Sequence, residues 1–228
     1  MSHRARMAHW TEAHSDSGLD RRMDHTTRAG NGRSVDSETR HGLVSGDRRW
    51  LPEVLYLGQS VQVSEKGQAL VVEVDDAAAA DIRELLRTHL VFAQEVTPEG
   101  HVHALPVNAL FDPSITLVSA RADGVLLGVG SLKQLEDEHA EIKAMHTAAA
   151  ARGRGVGRAM LARLVSIGRE LGYQRLSLET GTMDAFAAAR SLYVSAGFAP
   201  CEPFGEYTAN PHSICMTMSL GVANSSTA

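Results

Sequence analysis

The residues with the most definite chemical meaning are Arg152-Gly153-Arg154-Gly155-Val156-Gly157. Glycines at this spacing let the backbone turn with positive φ and let a ligand come close to the amides. Met160, Leu161, Leu164, Val165 and Leu171 come after it at helical spacing, so the turn is predicted to open a helix. The first amides of a helix have no intrahelical acceptor and carry partial positive charge, which makes such a turn a cradle for phosphate oxygens. Arg152, Arg154 and Arg158 add three cations. One side-chain–phosphate pair in a half-wet setting contributes at most about 4 kcal/mol before desolvation, so a multiply charged ligand calls for several amides and arginines together. The plainer alternative is a Gly-rich helix start with solvated arginines, because short glycine patterns are weak signals. Two familiar phosphate loops do not fit. A Walker loop needs Lys and then Ser or Thr after its last glycine, whereas Arg158-Ala159 stands here. A dinucleotide loop comes after the first strand of a βαβ unit, with an acid about twenty residues on; this turn comes after the third strand of a meander. RG-rich RNA-binding segments are repeated and disordered, and this one is single and embedded in ordered pattern.

The elements that must position this turn alternate in type. Ala69–Val74 reads as a strand, and Asp75 or Asp76 as the cap of a helix with Ile82, Leu85, Leu86 and Leu90 on one face. Glu95–Val107, with Pro98, Gly100 and Pro106, reads as a loop. Ile115–Ala122, a turn at Asp123-Gly124 and Val125–Leu135 read as a hairpin. Glu138–Thr147 is a further strand, leading into the Gly-Arg turn and its helix. Tyr173–Thr180 is a strand, and Asp184–Ala196 a helix with Phe186, Ala189, Leu192, Tyr193 and Ala196 on one stripe. Phe198–Phe204 and Ser213–Leu220 close the chain as strands. The expected fold class is α/β, a mixed central sheet flanked by helices in the order β-α-β-β-β-α-β-α-β-β. Val54–Val63 is left open as an additional strand.

Composition bounds the partners. The chain has 228 residues and a formal charge of −5, with no overall basic footprint for nucleic acid. No apolar run approaches the roughly 20 residues of a membrane span, and nothing reads as a secretory signal; the expectation is a cytoplasmic protein. Residues 1–50 hold nine arginines, seven acids and five scattered histidines, and their only Leu, Ile, Val or Phe residues are Leu19, Val35, Leu43 and Val44. That apolar surface is too small to offset the entropy of ordering the backbone, so residues 1–50 are expected to be a disordered polar tail before a domain over 51–228, with its core at about 69–220. That domain carries 13 Lys+Arg against 20 Asp+Glu, which favours cationic or amine-bearing partners.

With these residues in place, the chain resembles the GNAT superfamily of acetyl-CoA-dependent N-acetyltransferases. Arg152–Gly157 satisfies the family's Arg/Gln-x-x-Gly-x-Gly/Ala pattern, and Ala140-Glu141-Ile142-Lys143-Ala144-Met145-His146-Thr147 looks like its fourth strand. Ala189-Arg190-Ser191-Leu192-Tyr193-Val194-Ser195-Ala196-Gly197-Phe198 matches its A-x-x-L-Y-x-x-x-G-F motif. The likeness is closer to a bacterial YsnE-type subgroup, through Val102-His103-Ala104-Leu105, Leu178-Glu179-Thr180-Gly181, Cys201-Glu202-Pro203-Phe204 and Met216–Leu220. The resemblance implies a V-shaped split between the fourth and fifth strands that holds acetyl-CoA as co-substrate. Its pantetheine would pair with the backbone of Met145, His146 and Thr147. Its pyrophosphate would lie on the amides of Arg152, Gly153, Arg154, Gly155, Val156, Gly157 and Arg158. An amine near pKa ~10.4 is mostly charged at neutral pH, and removing its proton costs roughly 4–5 kcal/mol, so a base is wanted. Glu141 lies at the offset of the base in histone-acetylating members, with a surface acid paired to Lys143 as the alternative. Tyr193 would protonate or hydrogen-bond the departing thiolate, or serve the core alone. Phe186 replaces an asparagine that contacts CoA in many relatives, and that contact does not transfer.

His101 and His103 sit where the family builds its acceptor pocket. His103 is a candidate for acceptor contact or base, because imidazole titrates near working pH, or is a structural histidine. Glu179 and Thr180 are candidates for the acceptor wall or for strand-end capping. No third ligand accompanies the two histidines, so no metal is expected. Cys201 and Cys215, on the last two strands, are expected to be reduced and to have no catalytic role. Relatives that acetylate ribosomal protein N-termini carry L-E-V-R-x-x-N after the fifth strand. Leu178-Glu179-Thr180-Gly181 departs from that, and favours a small-molecule amine over a protein N-terminus or lysine. The remaining alternative is a non-catalytic CoA-binding regulatory module. Domains of this kind often form homodimers through sheets or helices.

Overall fold

The structure, a computed structural model, describes residues 55–57, 60–65 and 68–221, with side chains from Ala69 onward. The stretch read as a polar tail, residues 1–50, lies outside the described residues. The strands are β1 (Leu55–Leu57), β2 (Ser60–Glu65), β3 (Gln68–Val74), β4 (Ile115–Ala122), β5 (Val125–Glu136), β6 (His139–Thr147), β7 (Arg175–Gly181), β8 (Ala199–Pro200) and β9 (Ser213–Ser219). The α-helices are α1 (Ala80–Val96), α2 (Val156–Glu170) and α3 (Ala187–Ser195). The described strands form one sheet in the order β1-β2-β3-β4-β5-β6-β7-β9-β8. Every pairing is antiparallel except β6 with β7.

Strand alternation sends neighbouring residues to opposite faces, and the two faces are covered separately. Leu117 and Val129 pack against Ile82 and Leu86 of α1. Val118, Leu132, Ile142, Leu176 and Leu178 pack against Met160, Leu161, Leu164 and Ile167 of α2, joined by Tyr193 and Ala196 at α3. The expected α/β class with a mixed sheet flanked by helices is the fold observed.

Four local expectations are corrected. α1 is capped by neither aspartate: its N-cap is Ala79, with no side-chain cap bond. Asp75 is drawn away to accept Ser119 Oγ at 2.6 Å and the Arg121 guanidinium at 3.3 Å, and Asp76 accepts the Ala78 amide at 2.8 Å. The helix runs on to Val96, and a 3-10 turn at Val107–Phe111 buries Leu110 where the loop was expected to end. The stretch Phe198–Phe204 contributes only the two residues of β8, because the chain then leaves the sheet to wall the site. The predicted helix from Asp184 begins as a 3-10 turn, and its α-helical part starts at Ala187. The stretch left open, Val54–Val63, contributes β1 and part of β2.

Two irregularities shape β6. It pairs with β7 in parallel only from His139–Ile142 against Arg175–Leu178, and beyond that the two strands part. On the other edge of β6 the register shifts between Val129↔His146 and Ser131↔Lys143, so Ala144 and Met145 together face Gly130. Ala144 takes φ +54° at this bulge, a left-handed conformation that non-glycine residues rarely hold. Met145 packs closely on Gly130: a Cβ there would stand 2.6 Å from Met145 Sδ and 3.2 Å from Leu164 Cδ1, so the methionine side chain would have to shift.

α1 closes over the far half of β6 through His89, whose ring meets that of His146 edge-on at 5.4 Å between centroids. Burial first, then the charges of His146 and Lys143, lowers the His89 imidazole to about 4. A histidine kept neutral in the fold and titrating near its ordinary value when unfolded adds stability that is complete above about pH 6.5 and is lost as pH falls toward 4. Thermal melts should therefore decline from pH 7 to 5, and His89→Leu should flatten that decline. An identical slope in the variant would remove His89 as the cause.

Candidate active site

Past Ile142, the edge of β6 that faced β7 pairs with no strand among the described residues, while its other edge still pairs His146 with Val129 and Thr147 with Gly128. This leaves the β6 backbone around Met145, His146 and Thr147 open to an added strand-like ligand. Met145 folds under Gly130, and His146 turns its ring to His89 and Phe92. Burial, then Arg152, holds the His146 imidazole below its ordinary value.

The Gly-Arg turn stands at the same opening. Gly153 and Gly155 take φ +73° and +76°, and Gly155 is the N-cap of α2. The amides of Val156, Gly157 and Arg158 belong to the first turn, where helical geometry supplies no acceptor. Val156 is buried as the anchor, and Arg152, Arg154 and Arg158 are exposed. A Cβ at Gly153 would meet nothing within 4 Å, so the rim of the turn is open there. A Cβ at Gly157 would lie 3.4 Å from Leu192 Cδ2 and 3.6 Å from Thr147 Oγ1, which places this residue between β6 and α3.

Beside this edge of β6 lies a cleft whose lining includes His103, Glu141, Lys143, Met145, Glu179 and Tyr193. Glu141 is 3% exposed, not a surface acid. It does pair with Lys143, whose Nζ stands 2.9 Å from Oε1. The same Oε1 accepts the hydroxyl of Tyr207, and Lys143 Nζ donates to that hydroxyl at 2.5 Å. Such a compensated arrangement is what a buried carboxylate requires. Burial, and then the Glu141 charge, pushes the Tyr207 phenol well above its ordinary value, so it stays protonated.

Tyr193 is 6% exposed and faces the cleft from α3. Burial, and then the charge of Glu179, pushes its phenol well above the ordinary value. It is therefore a neutral O–H donor at any working pH. Glu179, across the parting from β6, has its carboxyl raised by burial against the opposing pull of Lys143 and Ser213. Thr180 is buried beside it at the end of β7.

His103 meets the Tyr207 ring edge-on at 5.1 Å between centroids, and the His101 ring meets that of His212 at a tilt, 4.7 Å between centroids. These contacts tie the segment before the first 3-10 turn to the segment between β8 and β9, roofing the cleft. Burial, then the charges of Lys143 and His101, lowers the His103 imidazole. Cys201 and Cys215 are free thiols, with the Cys201 amide donating to the Cys215 carbonyl at 2.9 Å. Among the described residues, no group of three or more His, Cys, Asp or Glu is arranged to hold a metal ion, and no helix is long and apolar enough to cross a membrane.

Glu141, Tyr193 and His103 thus share one cleft, and Met145 to Arg158 line the adjoining edge. Sequence reasoning missed Tyr207, His89 and His212, and treated Lys143 only as a neutraliser. Lys143 was legible, since residues two apart on a strand share a face. Tyr207 was not: it comes after Phe204 in a segment without periodicity, and only the fold carries it to Glu141.

Known proteins resemble the chain over the same region. The Acetyltransferase (GNAT) family matches residues 80–198. An uncharacterized N-acetyltransferase, YsnE, of Bacillus subtilis (strain 168) is 40% identical over 149 residues, which is 65% of this chain and 99% of that one. The IAA acetyltransferase of Azospirillum brasilense is 34% identical over 148 residues, covering 64% of this chain and 93% of that protein. Among solved structures, a Klebsiella pneumoniae protein assigned as an acyl-CoA N-acyltransferase shares the fold at a TM-score of 0.55 and 24% identity, covering 67% of this chain and 98% of the other. The match of the family to more than half of the chain, and 40% identity along nearly the whole of a relative, mean that this chain belongs to the GNAT acetyltransferase family and is an acyltransferase of groups other than aminoacyl groups.

Proposed function

We propose that the chain transfers the acetyl group of acetyl-CoA directly to the amine of a small molecule. The observation that carries this reading is the parting of β6 from β7 beyond Ile142 and Leu178, with the glycine turn of α2 at its mouth. The unpaired β6 backbone at Met145, His146 and Thr147 would take the pantetheine amides. The amides of Arg152–Arg158 and the three arginines would take the pyrophosphate. The thioester is thereby directed toward the cleft that holds Glu141 and Tyr193.

Catalysis needs a proton removed from the acceptor ammonium and a proton returned to the leaving sulfur. Glu141 takes the first, directly or through water. Among the described residues no donor reaches its Oε2, while Oε1 holds Lys143 and Tyr207. His103 is the second candidate base, because its lowered imidazole is neutral at pH 7. Tyr193 supplies the second proton: a phenol held neutral by burial donates without first having to be protonated. Glu179 and the histidine-roofed wall favour a compact cationic acceptor.

Two outcomes test this reading. In Gly157→Asp the new Cβ makes only ordinary contacts with Leu192 and Thr147, and a carboxylate suits the first turn of a helix, so the domain should stay folded. Its charge nevertheless opposes the pyrophosphate. A like charge at about 4 Å costs up to about 4 kcal/mol in a half-wet site, so calorimetry should show acetyl-CoA affinity down by roughly 10²–10³-fold. Unchanged affinity refutes the cradle. Tyr193→Phe, assayed for free CoA release with an acceptor found in an amine library, should lower kcat by about 10²-fold or more and leave acetyl-CoA affinity within about twofold of the parent. An unaltered kcat removes Tyr193 from the chemistry.

A further inference from the structure

We infer that Lys143 is itself an acceptor: in the presence of acetyl-CoA the chain acetylates its own Lys143 Nζ and so closes its acceptor cleft. This rests on the proposed use of acetyl-CoA at the same site. The chain uses lysine sparingly, with Lys66, Lys133 and Lys143 against 19 arginines, yet Lys143 is buried to 10% side-chain exposure inside the candidate active site.

An activated nucleophile is recognised by a base within hydrogen-bond reach and a third group that orients the base. Lys143 meets both conditions. Its Nζ stands 2.9 Å from Glu141 Oε1, and Tyr207, whose hydroxyl lies 2.5 Å from the same nitrogen, donates to that oxygen. Lys143 is the first residue of β6 beyond the last pair with β7, Ile142↔Leu178. Its amine therefore stands at the mouth of the parting, in the same cleft as Met145, Glu179 and Tyr193. An amine already held beside its base attacks with the advantage of an intramolecular reaction.

In the step itself, Glu141 takes one proton from the Nζ ammonium. The freed amine attacks the thioester carbonyl carbon and forms the C–N bond. The C–S bond breaks with its electron pair on sulfur, which takes a proton from Tyr193. The nitrogen then gives up a second proton, which restores the Tyr193 phenol, and Glu141 releases the first to solvent. Acetyl-CoA and a lysine ammonium become an acetyl-lysine amide, free CoA thiol and one released proton, with no change of oxidation state. The product amide carries no charge and has lost its ion pair with Glu141. It fills the space an external amine would use, and as an amide it does not pass the acetyl group on.

The test is intact-mass spectrometry of the full chain incubated with acetyl-CoA, with peptide mapping at the three lysines and calorimetry of acetyl-CoA binding in parallel. One acetyl group should appear on Lys143 well before Lys66 or Lys133. It should be absent from Lys143→Arg and appear about 10²-fold more slowly in Glu141→Gln. Should Glu141→Gln fail to fold, Tyr207→Phe serves instead, since it removes the orienting donor but keeps the ring, and it too should slow the modification. Binding of acetyl-CoA with Lys143 left unmodified overturns the inference and leaves the proposed function standing. Modification at the same rate in wild type and both variants, or no faster than at Lys133, also overturns it by showing uncatalysed acetylation. Failure to bind acetyl-CoA at all overturns both readings.

Discussion

Two parallel strands that pair for four residues and then diverge leave a row of backbone N–H and C=O groups facing each other across a gap. Buried backbone polar groups need partners, and beyond Ile142 and Leu178 neither β6 nor β7 supplies them to the other. Everything else at the site is arranged around that gap. The bulge at Ala144-Met145 bends β6 where the strands part, at the cost of a left-handed alanine. Met145 lies beneath the bend against Gly130, where an added Cβ would displace it. Helix α2 starts where the gap opens, so its first-turn amides and the edge of β6 share one opening. The cleft of Glu141 and Tyr193 adjoins it.

Charge is distributed according to depth. The arginines of the turn are exposed and stand beside the positive end of the helix, so the outer rim is cationic. Within the cleft the ionised groups compensate one another: Lys143 and Tyr207 both act on Glu141, and Glu179 is kept toward its neutral form by burial. His89, His103 and His146 are all held toward the neutral imidazole, chiefly by burial. The cleft thus presents lone pairs and ring faces with little net charge. That is a setting in which a proton can leave an ammonium.

The helices and the central strands were legible because their apolar periods are long: Ile82, Leu85, Leu86 and Leu90 on α1, and Met160, Leu161, Leu164 and Val165 on α2, keep one face through successive turns. The Gly-Arg turn was legible for a different reason, since positive φ at Gly153 and Gly155 is a local demand that glycine meets without strain. The errors fell where tertiary contacts outbid local preference. Asp75 would cap α1 on propensity alone, but Ser119 and Arg121 on β4, 44 and 46 residues away, offer its carboxylate stronger partners. The strand expected after Gly197 is cut to Ala199–Pro200, because the chain must leave the sheet to bring Tyr207 over β6.

The order of residues alone thus determined the family resemblance, the glycine-arginine turn and the pairing of a carboxylate with a lysine two positions on, because each depends on neighbours within one turn or one pleat. Folding was needed to bring Tyr207 to Glu141 across 66 residues, to set His89 against His146, and to bury a carboxylate that local pattern leaves free to lie at the surface. Those contacts join separate elements. Their geometry is set by how a sheet twists and where two of its strands part, and no local preference encodes that.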